Sequence, residues 1–178
     1  MSQLRVTRVD LQRLLVAGTI AAVLDATFAF FAYVVIAGRY NFESLLQYIA
    51  SGLVGHAAFV HHGVTGWLIA ALGFVLHFGI SLTVAGVFFV ALRAFTTTRS
   101  RTVALGLLYG AGAWVFNAGV VLPLTDTRHE PFFGGWYIPF LLDHALFVGL
   151  PIAIVLARRA PRLTAIRARI APRVATEH

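Results

Sequence analysis

Four ionisable residues stand inside otherwise apolar stretches of the chain: Asp25, His77, Asp143 and His144. Asn117 is a fifth polar residue in the same kind of setting. A carboxylate beside an imidazole can share a proton and exchange it near neutral pH, and both are metal ligands. A charged group at a helix centre costs about 2.5–3.5 kcal/mol, even on the lenient insertion scale. Asp25 and His77 are therefore expected to relieve each other as a hydrogen-bonded or ionic pair. Asp25, His77, Asn117, Asp143 and His144 together form the candidate ligand or proton pocket. No Ser-His-Asp order, glycine-rich phosphate loop or carboxylate pair suggests catalysis, and the residues name no cofactor.

The other histidines fall outside the apolar runs. His56, His61, His62 and His129 belong to two connecting segments, and imidazoles suit zinc, copper or nickel. None shows the spacing of a helical zinc motif, so they are weak metal candidates beside the ordinary reading of solvated loop residues. A bis-histidine haem through His77 and His144 is disfavoured by a depth difference of about 7 Å, at about 1.5 Å per residue.

Four elements must position these groups. The chain has 178 residues, 59% apolar and 12% charged, with a mean hydropathy of +0.83. Soluble domains carry about twice that share of charge. A bilayer core about 30 Å thick takes roughly 20 apolar helical residues. The runs 14–37, 67–92, 103–124 and 138–156 meet that length, and lipid requires each to be a helix. The expected fold is an all-α integral membrane four-helix bundle in a single domain covering 1–178. Residues 43–60 are read as a short helix lying on or dipping into the outer face, with Asn41 as its N-cap. A five-span alternative counts that stretch as a crossing.

Charge gives the orientation. All 14 basic residues are Arg, against seven acids. With four spans, Arg39 and Arg128 lie on one side and the other twelve on the opposite side. The positive-inside rule then puts both termini in the cytoplasm. The basic tail 158–178 is expected to lie against anionic headgroups. No soluble domain is available to present a nucleic-acid surface. The absence of cysteine excludes disulfides and thiolate metal sites. The apolar start is too long for a signal peptide, so it reads as a retained first span.

Helical spacing indicates which faces pack. Gly18, Ala22, Asp25, Ala29 and Ala32 share one stripe, as do Ala70, Gly73, His77 and Ser81. Gly106, Gly110, Ala113 and Asn117 make a third. Small residues let membrane helices approach closely, so the polar groups face the interior. Gly106 and Gly110 serve either within the bundle or in a homo-oligomer. Counting residues from the helix ends gives two polar tiers, Asp25 with His77 at the midplane and Asn117 with His144 nearer the outside. Asp143, about 100° round the helix from His144, is expected to face another neighbour. Pro151 removes a backbone bond in the last span and is a candidate hinge.

The stretches GTIAAVLDA (18–26), LQYIASGLVG (46–55), LGFVLHFGIS (72–81), VFNAGVVLPLT (115–125) and HALFVGLPIA (144–153) resemble a family of uncharacterised bacterial multi-span membrane proteins. That family is distantly similar to the YagU-type inner-membrane proteins. The resemblance covers residues 14–157 and implies a bacterial inner-membrane location. It transfers no activity. Three functional expectations follow. The first is binding or transport of a small molecule, ion or proton through an outward-facing polar pocket. The second is a structural subunit whose polar residues lock helix packing. The third is a histidine-based metal or haem protein.

Overall fold

The structure is a computed structural model and describes residues 6–94, 98–127 and 135–157. His129, Arg128 and the basic tail lie outside the described residues. Among the described residues there is helix and no strand, and four helices are long and apolar enough to cross a membrane.

Helix α1 (Arg8–Ile36) starts earlier than the apolar run because a capping box fixes its first turn. The Asp10 amide donates to Thr7 Oγ1 at 3.2 Å, and the Thr7 amide donates to Asp10 Oδ2 at 3.0 Å. That satisfies amides a helix start otherwise leaves open. From Phe30 the helix widens into a π segment, and it stops before Gly38, whose φ of +57° leaves the helical region. Helix α2 (Phe42–Val54) is capped reciprocally by Asn41 and Ser44 and ends at Gly55, φ +68°. At 13 residues it extends about 20 Å, so it is too short to span. A 3-10 segment at Gly55–Phe59 follows, so the chain is helical where a short helix is expected over 43–60.

Helix α3 (Gly63–Ala94) is the longest, at 32 residues. Helix α4 (Arg99–Leu124) passes from α-helix into a π segment at Asn117 and a 3-10 turn at Leu122. Helix α5 (Tyr137–Leu156) is α-helical to Asp143, π from His144 to Gly149, and α-helical again from Leu150. Pro151 sits in the first turn of that last part. Its missing amide falls where the helix changes register, so the disruption appears as a wider turn before the proline.

Glycines set the closest approaches. A methyl group on Gly106 would meet the Gly149 carbonyl at 2.7 Å, and one on Gly110 would run into the His144 carbonyl. The Gly106/Gly110 face is thus covered by α5 of the same chain. On α3, Gly73 lies against the Leu46 backbone, and the Gln47 amide donates to the Gly66 carbonyl at 3.2 Å. Helix α2 therefore lies across the start of α3. Helix α1 packs between α3 and α5, and α5 packs against α4. Ala17, Ala21, Ala85, Phe88, Val148 and Ile152 form part of the apolar core between them.

One end of the molecule is basic. Asp10 Oδ2 approaches Arg93 Nη1 at 4.0 Å, which places the start of α1 beside the end of α3. Tyr109 donates to the Val84 carbonyl at 2.7 Å, aligning α4 with α3. Arg8, Arg13, Arg93, Arg99 and Arg101 consequently share that end, whereas Arg39 lies at the other.

Candidate functional site

Asp25 stands near the middle of α1, and three other ionisable side chains converge on it. His77 of α3 places Nε2 3.7 Å from Asp25 Oδ2, and His144 of α5 places Nδ1 3.7 Å from Asp25 Oδ1. His144 Nδ1 also lies 3.0 Å from Asp143 Oδ2. Asp25, His77 and His144 side chains are 13–17% exposed, and that of Asp143 is completely buried. The sequence pairs Asp25 with His77, and the structure brings the two side chains to 3.7 Å.

His77 has a fixed role in this arrangement. Its Nε2 lies 2.9 Å from the Ala22 carbonyl oxygen. Because a carbonyl can only accept, Nε2 carries the hydrogen and donates. The ring is therefore anchored to the α1 backbone one turn before Asp25, and it flanks the carboxylate. Ser81 follows on the same stripe and donates to the His77 carbonyl at 3.0 Å.

Two expectations are corrected here. Asp143 and His144 do not face different neighbours: the helix widens into a π turn at His144, and both side chains reach one another and the Asp25 region. The two polar tiers are one, because His77 and His144 touch the same carboxylate. Depth counts from helix ends fail here because α3 starts well beyond α5, and its first turns pack on α2 instead. The carboxylate pair not visible in the sequence is Asp25 with Asp143. Oxygens of both, with a His144 nitrogen, lie within 4.8 Å of one another. A carboxylate, rather than an open slot, separates the His77 and His144 rings.

Asn117 is half-buried, and its side chain makes no hydrogen bond or ion pair among the described residues. The structure does not tie it to the cluster. His56, His61 and His62 are exposed, and no metal-capable group of three or more such side chains includes them among the described residues.

The aromatic wall was missed. The Trp114 ring lies 5.0 Å from the His144 ring and stacks on Phe140 at 5.3 Å. Phe140 in turn stacks on Tyr33 at 5.0 Å, and Trp136 lies 5.8 Å from Tyr33. The signal was present. From Gly106 and Gly110 a four-residue step leads to Trp114, and a three-residue step leads to Ala113 instead. Tyr40 and Tyr48 extend the aromatic contacts to α2, where burial and the neighbouring Tyr40 push the Tyr48 phenol up to about 12.

No family model, curated protein or solved structure matches the chain.

Two polar atoms stand out beside this wall. Asp143 Oδ1 and Trp114 Nε1 are buried with no hydrogen-bond partner. A buried polar atom left unmatched costs about 1–3 kcal/mol, and more when charged. The cluster thus combines two carboxylates, two imidazoles and unused bonding capacity. It can hold protons or a cation.

Proposed function

We propose that this chain is a four-helix bundle of the bacterial inner membrane that binds and transfers a cation, in the first instance a proton, at Asp25, His77, Asp143 and His144. Both termini are cytoplasmic in this reading, and the basic end faces inward. The membrane address follows from the four apolar helices and, for its bacterial character, from the family resemblance of the sequence. The observation that carries the function is the Asp25 carboxylate between His77 and His144, each at 3.7 Å and each from a different helix.

The chemistry is a shared-proton relay. His144 Nδ1 and Asp143 Oδ2 lie 3.0 Å apart, a distance at which the two groups can share one proton. Asp25 lies one short displacement away and accepts it when the helices move closer. His77, anchored to the Ala22 carbonyl, flanks Asp25 at 3.7 Å. Ionisable groups of this kind inside a membrane bundle mark ion and proton pathways. The Trp114, Phe140 and Tyr33 rings close the side toward the end opposite the basic one, so access from there is gated by aromatic side chains.

Proteoliposomes loaded with a pH-sensitive dye test this reading. The wild type is expected to carry protons down an imposed gradient at least tenfold faster than protein-free vesicles. Asp25→Asn should reduce that rate to the protein-free level, whereas Asn117→Ala leaves it unchanged. Flux equal to wild type in both Asp25→Asn and His77→Ala overturns the proposal, as does a wild type that conducts no faster than empty vesicles.

A further inference from the structure

We infer that Asp25, Asp143 and His144 form a binding site for a divalent first-row transition metal, of which zinc suits the ligands best. The inference deepens the cation-site reading above and rests on it for the site, though not for proton transfer. Geometry comes first. Ligand atoms bound at about 2.0–2.1 Å in a tetrahedral zinc site lie roughly 3.3 Å from one another. His144 Nδ1 stands 3.0 Å from one carboxylate and 3.7 Å from the other, bracketing that separation. The three ligand atoms lie within 4.8 Å of one another, so small side-chain rotations close them on one ion.

Charge supports the same ion. Two ionised carboxylates in a low-dielectric interior repel each other and are expensive to desolvate. One divalent cation neutralises both, so the loaded site carries no net charge. Asp143 supplies the independent sign of a missing ligand. Its side chain is fully buried, and Oδ1 has no hydrogen-bond partner. A metal bound by this carboxylate compensates the unmatched oxygen.

The donor types narrow the choice. Two oxygens and an imidazole nitrogen suit zinc, manganese, iron or cobalt, whereas calcium and magnesium favour more oxygens and waters. The His144 nitrogen must present a lone pair, so the proton between it and Asp143 moves to the other ring nitrogen or to solvent on binding. Metal and a proton therefore exclude each other at His144 Nδ1, and the flanking His77 is the further ionisable group beside the ion. His77 is a positioning residue, because its Nε2 hydrogen is already given to Ala22.

Tag-free protein in nanodiscs, stripped with chelator, is titrated with Zn²⁺ by calorimetry and with Co²⁺ by visible absorption. One ion per chain is expected, with cobalt bands of the intensity of a four-coordinate site. Asp143→Asn and His144→Gln should each weaken Zn²⁺ by at least about 100-fold, and His77→Ala by about 10-fold, as positioning partners typically do. His61→Ala with His62→Ala should leave binding unchanged. The cobalt spectrum needs only the wild type, so it decides even where a variant fails to fold. Absence of stoichiometric metal in the wild type overturns the inference, as does binding that survives both ligand changes. If metal is absent while Asp25-dependent proton flux persists, the metal inference falls and the proton reading stands. Metal bound without flux gives the converse.

Discussion

Asp143 is the residue whose place in the molecule is hardest to account for by stability alone. Its carboxylate is fully buried, has one oxygen unmatched, and lies in the same small cluster as Asp25. Removing one partner of a satisfied buried pair usually destabilises by several kcal/mol, but removing a poorly compensated charge can stabilise. With chelator present, Asp143→Asn is therefore expected to raise the thermal midpoint by a few degrees, about 1 kcal/mol for a chain of this size. In saturating Zn²⁺ the order reverses, because only the wild type gains binding energy. Melting curves in detergent with and without metal check both signs. A midpoint lowered by Asp143→Asn under chelation means that the carboxylate is a structural anchor. The sequence shows this residue's oddity, an acid in an apolar run, but not its direction. Asp25 and His77 were legible as a pair because both sit near the centres of long runs. Asp143 was not, because an ideal 100° step turns it away from His144, and Pro151 marks a disruption without fixing where the wider turn opens.

At the scale of elements, the site depends on how closely α4 and α5 approach. Gly106, Gly110 and Gly149 bring the two backbones together, and the His144 carbonyl lies directly over Gly110. A side chain at Gly110 must push away the backbone of the residue that carries the imidazole. Gly110→Ala is expected to cost about 1–3 kcal/mol, the usual cost of overpacking, and to weaken function along with stability. Gly112, two residues on, faces open space. Gly112→Ala should be neutral or slightly stabilising, because it removes the flexibility of a mid-helix glycine. Thermal midpoints of the two variants separate the cases, and equal effects contradict the packing described. These small-residue stripes were readable from spacing alone. The π segments were not: they open at Phe30, Asn117 and His144. The second and third are each followed by a proline two residues on, Pro123 and Pro151, and only the first lacks one. Such segments recur at functional sites, and here one begins on the imidazole itself.

For the whole molecule, the arrangement of charge makes the topology testable without altering the core. Arg8, Arg13, Arg93, Arg99 and Arg101 share one end, and Asp10 against Arg93 ties two helix termini together there. The chain has no cysteine, so one introduced thiol reports its own location without background. Arg39, just after α1, and His62, just before α3, flank the short α2. If α2 stays on one face, Arg39→Cys and His62→Cys must both react with an impermeant maleimide from outside intact cells. Ser100→Cys, in the first turn of α4, should react only after the membrane is opened. A crossing α2 would put Arg39 and His62 on opposite sides and revive the fifth span. A fully inverted pattern would set the arginine-rich end outside, against the usual retention of arginine in the cytoplasm. It would also turn the aromatic side of the cluster toward the cytoplasm, so protons or metal would have to pass Trp114 and Tyr33 from within. The three labels therefore fix the direction from which the Asp25 cluster is reached.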